Sequence, residues 1–214
     1  MGSQISIETS NDATAVPSAI FNGPGISITD ATFEKSYYEQ NGLGGHLGSA
    51  GIFTSGPFGI VSGGILTTGY SRDADENTYN QNADTQIDGS EYCGPDTANA
   101  AALSVELVVE PEYNGLSIEF ILATRENFTQ YDRSSPPLIM GLPAAPGAHR
   151  MVFAICDADN GLLDSGLMVK AGGSVDCDKD IKINYATTTT VGPTPFVRTI
   201  QASGTISGTR RRYD

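Results

Sequence analysis

Charged side chains are scarce in this chain of 214 residues, of which they make up 17%. Basic residues are the scarcer kind, because 12 lysines and arginines face 25 aspartates and glutamates and leave a net charge of −13. A surface this acidic repels the phosphate backbone of nucleic acids and anionic lipid headgroups. We therefore predict that neither nucleic acid nor a membrane is a partner of this protein.

Long apolar runs are missing as well. No run approaches the roughly 20 residues that a membrane-spanning helix needs, and the first residues lack the basic and apolar regions of a signal peptide. We expect residues 1–19 to be the remnant of a cloning tag and a lead-in, and residues 206–214, which include Arg210–Arg212, to be a solvated tail. Residues 20–205 fit one domain, since single all-β domains of roughly 200–250 residues are common.

Cysteine occurs three times, with no Cys-x-x-Cys pair, which excludes the common zinc-site pattern and a dense disulfide framework. Cys156 and Cys177 are expected to form one disulfide, with Cys93 free or paired elsewhere; three reduced, buried thiols are the alternative. Asn127 begins the N-glycosylation sequon Asn-Phe-Thr. Together with the small fraction of charged residues and the 25 glycines, these features favour a secreted or cell-surface protein.

Short runs of β-branched and aromatic residues recur between clusters of Gly, Pro, Asn and Asp, which is typical of all-β proteins. Leu103, Val105 and Leu107 alternate with polar residues, as expected of a strand with one buried face. Asn114-Gly115 is the strongest hairpin-turn signal in the chain, so we predict that the strand before it pairs with the strand after it. The predicted strands are Ile26–Phe33, Ile60–Thr68, Leu103–Val109, Leu116–Leu122, Arg150–Cys156, Leu167–Lys170, Ile181–Thr187 and Phe196–Ser203.

These strands predict a single-domain, all-β sandwich that is jelly-roll-like. Two long connections interrupt the pattern of strands. Residues 72–96 are rich in Asp, Asn, Gln and Gly, and residues 124–148 contain four prolines. Loops of this length in a compact domain are usually functional or mobile. We therefore expect a long acidic loop and a long proline-rich loop at the surface of the sandwich.

Three blocks of sequence follow one another in the order found in a known family. The first runs from Asn22–Ile28 to Gly59–Gly69, the second is the predicted hairpin 103–122 followed by Ala123–Asn127, and the third is Met151–Gly172. Together the blocks resemble the choice-of-anchor L domain of bacterial surface proteins. The resemblance implies display on a cell surface and a shared fold, and it implies no particular activity.

The acidic residues Asp157, Asp159 and Asp164 are the best candidates for a metal site. Calcium binds six to eight oxygen ligands, and closely spaced carboxylates on a turn can supply several of them. The EF-hand pattern is absent, so a calcium site also needs distant ligands, for which Glu126 is a candidate. The alternative is structural: Asp157 and Asp159 would cap a turn, and Asp164 would fix a loop by accepting hydrogen bonds from the backbone.

Motifs for catalysis are absent from the sequence. His46 and His149 are the only histidines, and no nucleophile elbow, zinc-protease, phosphate-loop or dinucleotide pattern occurs. We therefore predict a non-catalytic binding or adhesion module for an extracellular protein or carbohydrate, with calcium as the candidate ion. One alternative is a secreted hydrolase that acts on an extracellular polymer with two carboxylates. Another is a structural surface protein that self-associates through the edges of its strands.

Overall fold

Strands dominate the structure of this protein, a computed structural model that describes residues 5–40, 46–74, 84–124, 133–134, 137–158, 164–191 and 194–200. For residues 46, 58, 133–134, 185–191 and 194–200 the description covers the backbone alone. The elements, in chain order, are β1 (Ser6–Thr9), α1 (Ala15–Ile20), β2 (Ile26–Lys35), β3 (Tyr38–Gln40), β4 (His46–Gly48), β5 (Ala50–Thr54), β6 (Ser62–Thr67), α2 (Ser90–Cys93), β7 (Thr97–Val109), β8 (Gly115–Thr124), β9 (Arg133–Ser134), β10 (Leu138–Pro143), β11 (Gly147–Ala158), β12 (Ser165–Ser174), β13 (Lys182–Val191) and β14 (Thr194–Ile200). Two short 3-10 helices, Pro57–Gly59 and Ser71–Ala74, lie between strands.

The strands form two main antiparallel sheets. The large sheet has the order β1-β5-β6-β12-β8-β10-β13-β14, with β9 paired to β8, and the small sheet has the order β11-β7-β2. A separate hairpin joins β3 to β4. The predicted all-β sandwich is therefore confirmed, and each of the eight predicted strands overlaps a strand of the structure.

The main core lies between the two sheets. β7 and β11 of the small sheet and β8 and β12 of the large sheet each turn alternate apolar residues towards it, as the period of two in a strand requires. The largest fully buried side chains of this core belong mainly to β7 and β8, and they include Leu103, Val105, Leu107, Val109 and Leu116. At roughly 1.5–3 kcal/mol for each large apolar side chain, this burial is the main force that holds the sheets together.

The residues before position 20 pack against the large sheet. β1 pairs with β5 at the edge of the large sheet, and α1 packs against β5 and β6. Val16 and Ile20 of α1 are fully buried in the main core. Ile20 Cγ1 would stand 2.5 Å from a Cβ atom on Gly64, so only glycine at this position lets the helix approach the strand so closely.

The predicted pairing of Leu103–Val109 with Leu116–Leu122 is wrong. These segments lie in β7 and β8, which belong to different sheets and face each other across the core. Alternation of apolar residues shows that a strand has one buried face, but it does not show which strand lies beside it. The chain crosses between the sheets in a turn, in which Tyr113 N donates to the carbonyl of Glu110 at 3.0 Å.

The prediction of a proline-rich loop at residues 124–148 is also wrong in its second half. β10 lies there, between β8 and β13 in the large sheet. Proline is tolerated at the ends of strands but not in central positions, and here Pro137 precedes the strand and Pro143 is its last residue. The prolines that indicated a loop therefore mark the limits of a strand.

Candidate functional site

Several connections meet at one end of the sandwich. In the large sheet, β6 and β8 end beside the start of β12, because Gly166 pairs with Thr67 and Ser165 pairs with Thr124. In the small sheet, β11 ends opposite the start of β7, where Ala158 pairs with Thr97. The short connection from β11 to β12 keeps these ends together, because six residues span at most about 20 Å. We call this end, with residues 68–74, 84–96, 157–158 and 164, the loop end.

Asp157 is buried at the loop end and bonds to a second buried polar residue. Its Oδ2 atom accepts a hydrogen bond from Asn99 Nδ2 at 3.1 Å, and Asn99 is fully buried. Asn99 Oδ1 in turn accepts bonds from Thr85 Oγ1 at 3.2 Å and from the backbone N–H of Gln86 at 3.0 Å. A buried carboxylate requires such partners. Asp157 and Asn99 thus attach the acidic segment 84–96 to the small sheet.

The same segment lies along the first residues of β7. Gly89 N donates to the carbonyl of Thr97 at 3.0 Å, and Ala100 N donates to the carbonyl of Ile87 at 3.1 Å. The predicted acidic loop is therefore held against the sheet from residue 84 onwards and contains the helical turn α2. Residues 75–83 lie outside the described residues.

Asp164 packs against the connection that follows β6. Its half-buried carboxylate occupies the space that a Cβ atom on Gly69 would need, so the backbone can come this close only at a glycine. The next residue is clamped to the same connection, because Ser165 N donates to Thr68 Oγ1 at 2.8 Å and Thr68 N donates to the carbonyl of Ser165 at 2.9 Å. Parts of the first and third sequence blocks are thereby brought together.

The predicted calcium ligands are located only in part. Asp157 and Asp164 both lie at the loop end, whereas Asp159 and Glu126 lie outside the described residues, as does the sequon residue Asn127. Within the described part of the chain, no group of three or more His, Cys, Asp and Glu side chains is arranged to hold a metal ion. The calcium site stays a prediction.

The predicted disulfide between Cys156 and Cys177 is wrong. Cys156 pairs with Cys93, at a Cα–Cα distance of 6.3 Å, and this bond ties α2 to β11 at the loop end. Cys177 is a free thiol on the connection after β12, which ends opposite Gly115 at the far end of the large sheet. Cysteines at opposite ends of a sandwich cannot meet. A disulfide is typical of proteins in an oxidising compartment.

A cluster of aromatic and charged side chains stands beside Gly69. The ring centroids of Tyr37 and Tyr70 are 5.9 Å apart, with an angle of 41° between the rings, and the Arg72 guanidinium lies 6.0 Å from the centroid of Tyr70. Arg72 Nε is 3.5 Å from a carboxylate oxygen of Asp73. The hydroxyl of Tyr37 donates to the carboxylate of Glu39. We call these five residues the tyrosine cluster.

Electrostatics keep Tyr37 protonated. Its hydrogen bond to the carboxylate of Glu39, followed by partial burial and nearby negative charge, raises the pKa of Tyr37 to about 12. The phenol therefore keeps its proton throughout the physiological range and holds the carboxylate in place.

Hydrogen bonds to β5 and to Ser49, the residue before it, fix the backbone of the tyrosine cluster. Tyr37 N donates to Ser49 Oγ at 2.9 Å, and Ser49 N donates back to the carbonyl of Tyr37 at 3.0 Å. On the other side, Ser71 Oγ donates to the carbonyl of Ala50 at 3.0 Å, and Asp73 N donates to the carbonyl of Tyr70 at 3.0 Å. The two aromatic rings are thus carried by backbone that is anchored at both sides of the cluster.

A cavity of about 290 Å³ lies on the outer face of the large sheet, near the end opposite to the loop end. Its walls include Asp176, Asp178, Asp180 and Lys182, and Lys182 forms an ion pair with Asp178. The hydrogen bond and the attraction from the Lys182 ammonium lower the pKa of Asp178, which therefore stays ionised.

The free thiol Cys177 borders this cavity and is held by an asparagine. Asn114 Nδ2 donates to the carbonyl of Cys177 at 3.1 Å, and Cys177 N donates to Asn114 Oδ1 at 2.8 Å. Burial, followed by repulsion from Asp178 and Asp176, raises the pKa of Cys177. A protonated thiol is a poor nucleophile.

Among the described side chains, His149 has a structural partner. His149 Nε2 donates to the carbonyl of Ala145 at 2.7 Å, which fixes a turn. His46 lies in β4, and its side chain is outside the description.

Comparison with family models, curated proteins and solved structures finds no match to this chain. Function must therefore be inferred from the site itself. The resemblance to the choice-of-anchor L domain stays a prediction that depends on the sequence blocks. Among the described residues, no helix is long and apolar enough to cross a membrane.

Sequence reasoning missed the tyrosine cluster. Tyr37 and Tyr70 are 33 positions apart in the sequence and lie in segments that show no motif. The one signal is the glycine before Tyr70, because a glycine often marks a place where another group comes close to the backbone.

Proposed function

We propose that this protein is a secreted or cell-surface binding module without catalytic activity, which contacts its ligand through the loop end. The observation that carries the proposal is the attachment of segment 84–96 by the Cys93–Cys156 disulfide and by the bond between Asp157 and Asn99. Connections fixed at one end of a rigid sandwich are a common place for binding residues.

The disulfide supports an extracellular location, because disulfides persist mainly in oxidising compartments. The small fraction of charged residues and the net charge of −13 support an extracellular protein or a carbohydrate as the ligand. The negative charge argues against a polyanion as the ligand. The resemblance to a bacterial surface domain agrees with this location. Calcium is proposed as an ion that stabilises the loop end, with Asp157, Asp159, Asp164 and Glu126 as its candidate ligands.

The experiment blocks one end of the molecule at a time. Ala74→Cys at the loop end and Val175→Cys at the far end are exposed positions, and each is made in a Cys177→Ser background and coupled to a bulky polyethylene glycol maleimide. Binding is then measured on immobilised neutral polysaccharides, acidic polysaccharides and purified extracellular-matrix proteins. Modification at Ala74→Cys should abolish binding, and modification at Val175→Cys should leave it unchanged. Binding to none of these polymers would reject the proposal.

A second candidate function is favoured by the cavity near Cys177. Hydrolysis of a glycosidic bond needs two carboxyl groups that flank the bond, and three aspartates lie in the walls of this cavity. If the protein is such a hydrolase, incubation with extracellular polysaccharides should release reducing ends, and the Asp176→Asn/Asp180→Asn variant should release fewer. No release by the wild-type protein would exclude this function.

A further inference from the structure

We propose that the tyrosine cluster is a binding subsite for a neutral saccharide. This inference rests on the proposed binding function and names the class of its ligand. The cluster combines two half-buried aromatic rings with an exposed carboxylate at Glu39 and a guanidinium at Arg72, whose side chain is 45% exposed.

The chemistry of the cluster matches that of a sugar ring. A pyranose presents C–H groups on one face and hydroxyl groups around its rim. The negative face of a tyrosine ring attracts such C–H groups. Arg72 offers five N–H donors, and the carboxylate of Glu39 can accept further hydrogen bonds. The hydroxyl groups of the sugar can therefore both accept and donate hydrogen bonds at the cluster.

The surroundings of the cluster favour a saccharide over a protein. A stable protein interface buries roughly 800 Å² on each partner around an apolar centre. The exposed large apolar side chains of the described residues lie elsewhere, at Val61, Leu122, Val152, Val175, Ile181 and Ile183. A ring pair with a polar rim, and with no exposed large apolar side chain beside it among the described residues, is suited to a small polar ligand.

The charge of the cluster favours a neutral ligand. Arg72 is next to Asp73 and is therefore largely compensated, while Glu39 adds a negative charge. The whole chain carries a net charge of −13, which would repel an acidic polysaccharide.

The rigidity of the cluster also supports a binding role. The backbone of Tyr37 bonds to Ser49, which directly precedes β5, and Ser71, the neighbour of Tyr70, donates its hydroxyl to Ala50 of the large sheet. Binding to side chains on fixed backbone loses less conformational entropy than binding to a mobile loop.

The test is a calorimetric titration of the wild-type protein with hexasaccharides of glucose, mannose and N-acetylglucosamine. At least one of them should bind, and Tyr70→Ala should weaken that binding about tenfold, the upper range for one aromatic contact. The control is Tyr113→Ala, which removes a half-buried tyrosine ring that packs against the main core at the far end and should leave the affinity of the folded protein unchanged. Since the chain has no tryptophan, the change in tyrosine emission on binding is a second measurement.

Arg72→Ala decides the question if Tyr70→Ala fails to fold, because Arg72 is exposed and its loss should weaken binding without unfolding the protein. Binding of an extracellular protein but of no hexasaccharide would overturn this inference and leave the proposed function standing. Saccharide binding that survives both substitutions would also overturn it. If none of the proteins and saccharides binds, both this inference and the proposed function are rejected.

Discussion

Asn99 connects its own strand, β7, to segment 84–96 and to Asp157 in β11. It donates to Asp157 in a buried bond and accepts from Thr85 and Gln86 in part-buried bonds. We predict that Asn99→Ala lowers the free energy of unfolding by about 1–3 kcal/mol, because buried polar groups lose their partners. Urea denaturation measures this change.

The control for this prediction is Asn22→Ala. Asn22 is exposed, and its side chain makes a long hydrogen bond of 3.5 Å to Ser62. Its replacement should change the free energy of unfolding by less than about 0.5 kcal/mol. Equal effects of the two substitutions would contradict the role assigned to Asn99.

Tyr37 should make stability depend on pH in the alkaline range. Because the pKa of Tyr37 is raised above its ordinary value to about 12, the folded protein holds this proton more tightly than the unfolded chain does. The stabilisation is complete below about pH 10 and is lost as the pH rises towards 12. Absorbance of tyrosinate follows the titration, and Glu39→Gln should move the highest titration step to lower pH. A titration that is the same in both proteins would contradict the pairing of Tyr37 with Glu39.

At the scale of single residues, the sequence singled out Asp157 and Asp164 but did not predict which residues they contact. Asp157 and Asp164 were recognised from their spacing, and both lie at the loop end. Their partners Asn99 and Gly69 lie 58 and 95 positions away, and no local pattern reports contacts over such distances. Asn114 was predicted to form a hairpin turn, but its side chain instead holds the backbone of Cys177.

At the scale of the elements, the disulfide that joins α2 to β11 gives the clearest test of how segment 84–96 is held. Cys93 and Cys156 are separated by 63 residues, and a cross-link over this length stabilises a protein by about 4 kcal/mol in the chain-entropy model. The Cys93→Ser/Cys156→Ser variant should lose about this much stability in urea denaturation. It should also exchange the amide hydrogens of Gly89 and Ala100 faster, because segment 84–96 loses its attachment.

Cys177→Ser is the matched control, because it removes a thiol that forms no disulfide. We expect it to change stability by less than about 1 kcal/mol and to leave the exchange of Gly89 unaltered. Faster exchange in the control as well would mean that segment 84–96 is held by something other than the disulfide.

Local sequence patterns predicted most of the strands, but they did not predict which strands lie side by side. Alternation identified β7 and β8 because one face of each is buried, and that observation holds in any arrangement of the sheets. The placement of the two strands in different sheets depends on contacts with β11, β10 and β12. β10 was missed because its short apolar run stands between prolines.

At the scale of the whole molecule, calcium should raise the melting temperature if the loop end binds it. An ion that binds only the folded state, at a hundredfold excess over its Kd, adds about 2.7 kcal/mol. For a chain of this size, that corresponds to roughly 5–10 °C. Melting is measured with calcium, with magnesium and with a chelator. Identical melting in all three would remove calcium from the proposed function.

Variants test which residues are responsible for such a shift. Asp159→Asn should abolish it, whereas Asp176→Asn, in the wall of the distant cavity, should leave it intact. If the calcium-induced shift in melting temperature is lost in Asp176→Asn but kept in Asp159→Asn, the ion binds at the cavity and not at the loop end.

Self-association of whole molecules is a separate alternative, because β1 and β14 lie at the edges of the large sheet. Unpaired strand edges can recruit a second copy. Sedimentation across a concentration series distinguishes a monomer from an assembly of several copies. A protein that stays monomeric at every concentration would exclude self-association.

The order of the cysteines along the chain bears on how the protein acquires its covalent structure. If the protein is secreted as proposed, export from its N-terminus delivers Cys93 first and Cys156 next, and Cys177 follows 21 residues later. An oxidant that acts during export therefore meets the native pair before the competing thiol has arrived. Misjoined isomers should consequently be rarer after export than after refolding of the finished, reduced polypeptide, in which all three thiols compete at once.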